Sequence, residues 1–258
     1  MPPRLRLLGM TLFPVIAQTS MERTVLKGDA NIQDNVARVE ERIRAACHRA
    51  GRRREDVKLV AVSKTHPPEA VRAAFAASLR DFGENRVQEA QGKITALADL
   101  GATWHLVGHL QSNKVRPACD LFQWVHSVDS LRLAQRIAQA GRPNSEPLPV
   151  LIEVNLAQEA SKAGVPAAEV PELAAQIGVL PALSLRGLMV IPPFLANPDA
   201  VRPYFRQLRR LASEIEEKHL PNVAIRELSM GMSHDFEVAI EEGATIVRVG
   251  TAIFGERR

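Results

Sequence analysis

The residue with the most chemical reach is Lys64, which closes the run Leu59-Val60-Ala61-Val62-Ser63. An ammonium at the end of an apolar strand is costly to desolvate, so either its pKa falls or a partner uses its charge or its nitrogen. A lysine in that setting can form an imine with a carbonyl compound. It can also reach water along its own stem, and the strand by itself leaves both readings open. Two further stretches bear on the choice. Ser229-Met230-Gly231-Met232-Ser233 is a small-residue turn that leads into a helix at His234-Asp235, and Gly250-Thr251 is a tight turn after a strand. Backbone N–H groups at such turns are unpaired donors in a positive local field, which makes an anion cradle. Either turn taken alone is equally explained by glycine used for backbone reasons.

Positioning these groups falls to an alternation of strands and helices. Val60 and Val62, with Pro67-Pro68 forbidding a helical continuation, make residues 57–63 a buried parallel strand. Ahead of it, Ile32, Val36, Val39, Ile43 and Ala46 recur at helical spacing, so a helix is expected from Asn31 to Ala50. Downstream, helices are expected at 68–77, 87–98, 130–140 behind Asp129 as N-cap, 166–179 with an interruption at Pro171, 199–219 and 234–242. Strands are expected at 80–82, 103–107, 122–127, 148–155, 184–190, 224–229 and 245–249. No low-complexity break divides the series. The pattern reads as a single-domain (β/α)8 TIM barrel over residues 31–258 with an extra N-terminal helix. A doubly wound open sheet is the alternative, because periodicity cannot show closure. It would want a Gly-rich turn after the first strand, where Lys64-Thr65-His66-Pro67 stands.

In a barrel the C-terminal ends of the strands converge on one mouth. Those ends carry Lys64; Glu84 and Asn85; His109; His126 and Ser127; Asn155; residues 189–192; the 229–233 turn; and Arg248 to Thr251. Their joint placement points to a polar ligand. The loops after the last two barrel strands are the usual phosphate site of this architecture. A phosphate on one side of the mouth and a lysine on the other describe a phosphorylated carbonyl compound, and pyridoxal 5'-phosphate meets that description.

Composition narrows the partners. The 258 residues are 46% hydrophobic and 24% charged, an ordinary globular composition able to bury a sizeable core. The net charge of +4 would permit nucleic-acid contact. Yet the basic run of Arg49 and Arg52-Arg53-Arg54 reads as a solvated helix end and loop, and with 4% aromatic residues no stacking motif appears. Cys47 and Cys119 have no metal-type spacing and read as thiols in a reducing cytoplasm. Residues 1–30 are expected to be a disordered extension. Within them Met1 to Ser20 loosely mimics a secretory leader, interrupted by Pro14 and without a clear cleavage site, and Met21 is a candidate later start. Nothing else approaches a membrane span.

Several blocks carry a resemblance. Val62-Ser63-Lys64-Thr65, Phe82-Gly83-Glu84-Asn85-Arg86-Val87-Gln88-Glu89, Gly108-His109-Leu110-Gln111-Ser112-Asn113-Lys114 and His126-Ser127-Val128-Asp129-Ser130 are followed by Leu228 to Ser233 and Arg248 to Gly255. Together, in order from about residue 31 to the C-terminus, they resemble the YggS/PROSC family of pyridoxal phosphate homeostasis proteins. The resemblance implies a barrel like the N-terminal domain of alanine racemase (PLP fold type III), with Lys64 carrying the cofactor as an internal aldimine. It further implies that Ser233, Gly250 and Thr251 hold the phosphate with Ser229 nearby, that Arg248 faces the pyridine nitrogen, and that Asn85 lines the ring pocket. His234 departs from the family's pattern, which has a small or acidic residue there. Lys114 and Lys162 are the alternative attachment points should Lys64 not serve.

An arginine at the ring nitrogen keeps its proton at neutral pH, so the ring is a weaker electron sink than one paired with a carboxylate. A racemase also needs a second acid or base, and Tyr204 is the single tyrosine, placed early in a long helix. No second domain is expected after the barrel. A monomeric carrier that stores the cofactor and hands it to apo-enzymes is therefore the expected role. A racemase or lyase, and a nucleic-acid-binding protein, are the alternatives.

Overall fold

In a computed structural model that describes residues 16–141, 146–157 and 163–256, and only the backbone of 16–30, the valine-rich run becomes strand β1 (Lys58–Val62). It alternates with helices through β2 (Asp81–Glu84), β3 (Thr103–Leu106), β4 (Trp124–Val128), β5 (Leu148–Asn155), a two-residue β6 (Val165–Pro166), β7 (Leu183–Met189), β8 (Val223–Ser229) and β9 (Ile246–Val249). Every pairing is parallel. The order β4-β3-β2-β1-β9-β8-β7-β5 is joined at its two ends by a β4–β5 pairing, with β6 lying beside β5. That last pairing closes the sheet into an eight-stranded barrel and excludes the open-sheet alternative.

The helices α1 (Ile16–Arg49), α2 (Pro68–Ala76), α3 (Val87–Ala96), α4 (Val115–Leu121), α5 (Leu131–Ala140), α6 (Val170–Gly178), α7 (Arg202–Glu216), α8 (Phe236–Glu241) and α9 (Thr251–Phe254) cover the outside. Strand residues alternate between two cores, as the period of two demands. Leu59 and Ala61 face the helices, in a layer that also buries Phe82, Phe122, Phe205 and Phe236. Val60 faces the barrel interior with Leu151, Met189 and Ile246. Gly187 marks where β7 and β8 approach most closely, because a Cβ there would lie 1.8 Å from Glu227 O.

Several expectations are corrected. The helix expected from Asn31 begins at Ile16, since no proline interrupts residues 16–49. The rest of the expected 1–30 extension, residues 1–15, lies outside the described residues. Ser130 rather than Asp129 caps α5, its Oγ accepting from the Leu133 N–H at 3.3 Å. Pro171 does not interrupt α6 but sits in its first turn, where its missing N–H is unneeded. The short helices α4 and α9 were not expected. Nor are the arginines after α1 simply solvated: Arg52 donates to the Ile240 and Ala244 carbonyls at 2.9 and 2.7 Å, and Arg54 pairs with Glu40 at 2.7 Å. With Arg42–Glu237 at 2.8 Å, the Arg52 bonds seat α1 against α8, while Arg54 ties the turn after α1 back onto it. Cys47 and Cys119 are both buried. Among the described residues, no helix is long and apolar enough to cross a membrane.

Candidate functional site

Lys64 leaves β1 through a clamp. Ser63 is fully buried, and its Oγ donates to Glu84 Oε1 at 2.7 Å. Lys93, buried on α3, donates from Nζ to Glu84 Oε1 at 2.5 Å and to the Ser63 carbonyl at 2.7 Å. On the other side of Lys64, the Thr65 N–H donates to Glu89 Oε1. Thr65 has φ 66°, a left-handed conformation that a β-branched residue adopts only under constraint from its surroundings. Burial holds the Glu84 carboxyl above its ordinary range, although the bonds from Lys93 and Ser63 pull the other way. Its Oε2 has no partner among the described residues. The backbone on each side of Lys64 is thus tied to α3 and β2, while Lys64 itself is half-buried at the rim.

Beside β1 stands β9, in register from Lys58↔Ile246 to Ala61↔Val249. This pairing sets the Gly250-Thr251 turn next to the lysine, and a Cβ on Gly250 would lie 3.2 Å from the Val62 carbonyl oxygen. Ser233 joins the two small-residue turns, because its Oγ accepts from the Gly250 N–H at 3.2 Å and the Ala252 N–H at 3.3 Å. Gly231, at φ 93°, supplies the left-handed residue that lets the first turn fold back. The Met232 N–H is bound by Asp235 Oδ1 at 2.6 Å. Burial raises the Asp235 carboxyl above its ordinary range, against the lowering effect of that bond. His234, the departure from the family pattern, is exposed, shares a bond with the Leu195 carbonyl at 3.1 Å and lies against Phe194.

Arg248 projects from β9 into the barrel and is buried. Its Nη1 donates to Ser229 O at 2.7 Å and to Ser229 Oγ at 2.6 Å, and its Nη2 donates to Val190 O at 2.9 Å. A guanidinium has more N–H donors than these bonds use, so capacity remains for a further acceptor. Burial pushes its pKa down to about 10, opposed by the charges of Glu153 and Asp235. Ser229 therefore turns its hydroxyl to Arg248, and to His126 Nδ1 at 2.9 Å, rather than to the turn that follows it. Asn85 follows β2, the neighbour of β1, and borders a cavity of about 280 Å³ with His109, Glu153 and Ile191. His109 pairs with Asp129 at 3.2 Å. Lys64, Arg248, Ser229, Ser233, Gly250 and Thr251 thus lie on the neighbouring strands β1, β9 and β8 or in the turns that leave them. Lys114 borders a different cavity, with Arg86 and Gln88, and Lys162 lies outside the described residues. Tyr204 packs on the outer helical layer.

Sequence reasoning placed His126 at a strand end, but the fold puts it in mid-strand, inside the barrel. It overlooked His105 and Asp81, which continue inward from His126. The available signal was phase. In β3 the histidine alternates with Trp104 and Leu106, which face the helices, so it takes the opposite face, which barrel closure turns inward.

Comparison with known proteins shows the family. A curated relative from Aquifex aeolicus (strain VF5), named pyridoxal phosphate homeostasis protein, is 49% identical over 228 residues, covering 88% of this chain and 99% of its own. One of the same name from Pseudomonas aeruginosa is 50% identical over 228 residues, covering 88% and 96%. The chain belongs to the pyridoxal phosphate homeostasis protein family. Residues 34–258 match the alanine racemase N-terminal domain, the fold expected from the sequence. The solved structure of PipY of Synechococcus elongatus PCC7942, described as having PLP bound, is 40% identical to this chain with a TM-score of 0.77. It is covered in full, against 87% of this chain.

Proposed function

We propose that this chain binds pyridoxal 5'-phosphate through Lys64 and serves its homeostasis, holding the reactive aldehyde and releasing it to apo-enzymes with little or no turnover of its own. The observation that carries the reading is the joint placement of a clamped lysine, a two-turn donor cradle and a buried arginine at one side of a barrel mouth. These residues fit a phosphorylated pyridine aldehyde: Ser233 Oγ accepts from the Gly250 and Ala252 N–H groups, which leaves its hydroxyl proton for an anion, and Arg248 keeps donor capacity for a neutral ring nitrogen. When bound, the cofactor supplies an aldehyde that combines reversibly with amines. Lys64 takes the aldehyde carbon; Ser233, Gly250 and Thr251 hold the phosphate; Asn85 borders the ring. Family membership and the PLP described in PipY support the assignment.

Arg248 also supports a carrier over a catalyst. A guanidinium pKa of about 10 leaves it protonated at neutral pH, so it donates to a ring nitrogen without surrendering a proton, and electron withdrawal through the ring stays weak. Tyr204, on the outside of the barrel, does not supply a second base to the mouth. The buried thiols of Cys47 and Cys119 support a cytoplasmic setting.

The test is an absorbance spectrum of the cofactor-saturated protein before and after borohydride, followed by peptide mapping. A coloured protein with its pyridoxyl group trapped at Lys64, and no trapping in a folded Lys64→Ala variant, is the expected result. A colourless wild-type protein overturns the assignment. Steady product formation from common amino acids converts the carrier to a racemase or lyase.

A further inference from the structure

Behind Arg248 the barrel interior holds an uninterrupted run of polar contacts. Arg248 Nη1 donates to Ser229 Oγ at 2.6 Å; Ser229 Oγ lies 2.9 Å from His126 Nδ1; His126 Nε2 lies 3.0 Å from His105 Nδ1; and His105 Nε2 lies 2.9 Å from Asp81 Oδ1. Asp81 opens β2 at the N-terminal end of the barrel, where Lys58 Nζ stands 3.4 Å from it. Both histidines are fully buried.

With neutral rings, the carboxylate end dictates the direction of every bond up to Ser229. Arginine can only donate and an ionised carboxylate can only accept. Ser229 has two lone pairs, so accepting from Arg248 leaves its proton free, and with His105 donating from Nε2 to Asp81 through neutral rings that proton goes to His126 Nδ1. His126 then carries its proton on Nε2 and donates to His105 Nδ1, and His105 donates from Nε2 to Asp81. The reverse order would aim an imidazole lone pair at a carboxylate. Both rings are neutral in this arrangement. Burial, first, keeps them so, with the charges of Arg248 and Lys58 acting in the same sense on His126 and Asp81 opposing it at His105. Burial also acts against ionisation of Asp81, but the bond from His105 and the charge of Lys58 outweigh it and hold its carboxyl below the ordinary range.

Filling space does not require such a run. Val60, Leu151, Met189 and Ile246 fill the same interior with no bonds to satisfy, whereas each buried polar group is a liability unless it is paired. We propose that His126, His105 and Asp81 are positioning residues for Arg248: through Ser229 they form a hydrogen-bond line of fixed polarity that turns the guanidinium toward the cofactor's ring nitrogen. This rests on the role given to Arg248 under the proposed function.

The experiment has two arms. In the first, 15N-labelled histidine is read by NMR in cofactor-free wild-type protein, where His105 and His126 each show a neutral ring protonated on Nε2. In the second, His126→Phe and Asp81→Asn are loaded with pyridoxal 5'-phosphate and compared with wild type. Borohydride still traps the pyridoxyl group at Lys64, but the absorbance maximum moves and the cofactor leaves about fivefold to tenfold faster, the size of one weakened or lost hydrogen bond. A protonated Nδ1 on either ring, or a wild-type spectrum and release rate in the variants, overturns the proposal. If His126→Phe does not fold, Asp81→Asn decides. Failure of wild-type trapping at Lys64 instead brings down the proposed function, while the nitrogen shifts still report whether the line exists.

Discussion

Lys64 is presented by neighbours that bond to one another and to the backbone on each side of it. Glu84 and Lys93 form a buried ion pair whose other bonds go to Ser63 and, from Lys93, to Glu89 at 3.5 Å, and Glu89 reaches past Lys64 to the Thr65 N–H. Removing one member of a buried pair leaves the other charge without compensation, so Lys93→Met should cost about 3–5 kcal/mol in denaturant unfolding. Glu84→Gln keeps an acceptor for both neighbours and should cost less than Lys93→Met. If the clamp presents the lysine, the fraction of protein trapped by borohydride at equal cofactor should also fall in Lys93→Met; equal stability and equal trapping in both variants would remove the clamp from the account. At this scale the sequence was informative where chemistry sits at strand ends: Lys64, Ser233, Gly250 and Arg248 were all legible. His105 and Asp81 were not, because a polar residue within a strand has the same pattern whether its face meets water or the inside of a closed barrel.

Elements were legible to the extent that their periodicity was clean. The eight barrel strands came out within two residues of their observed bounds because runs such as Leu59 to Val62 and Ile246 to Val249 are rich in apolar and β-branched residues, whereas the two-residue β6 was not expected. Helix α4 escaped because it is short and holds Pro117, which reads as a breaker but sits in the first turn, where proline is tolerated. Closure itself has no sequence signature. It depends on sites such as Gly187, where β7 meets β8 with room only for a hydrogen: an added methyl would lie 1.8 Å from Glu227 O and 2.6 Å from the Glu227 carbonyl carbon. Backbone, unlike a flexible side chain, cannot turn aside. Gly187→Ala should therefore destabilise the barrel by at least about 3 kcal/mol, the upper end of ordinary overpacking, visible as a lowered urea midpoint. Because Met189 and Ser229 pair two residues further along the same seam, cofactor hold should weaken with it.

Taken whole, the molecule has an apolar layer outside its sheet and a partly ionisable one inside, and this makes stability depend on pH. His105 and His126 are held below the ordinary imidazole value of 6.5 by burial. In the unfolded chain they take up protons that the folded state refuses, so the unfolded state binds more protons below that value, and stability is lost as pH falls from about 7 to about 5. Glu84, Glu153 and Asp235 act in the opposite sense, because burial raises their carboxyls and protonation relieves them as pH falls. The net slope of Tm against pH mixes both sets. The difference between wild type and His126→Phe does not, since the carboxyls are common to the two. The variant should be less stable than wild type at pH 7 and should lose less Tm on going to about pH 5, because one buried imidazole no longer competes for a proton. Parallel Tm profiles would mean that His126 takes up its proton in the folded barrel as readily as in the unfolded chain, and an imidazolium at that position could not accept from Ser229.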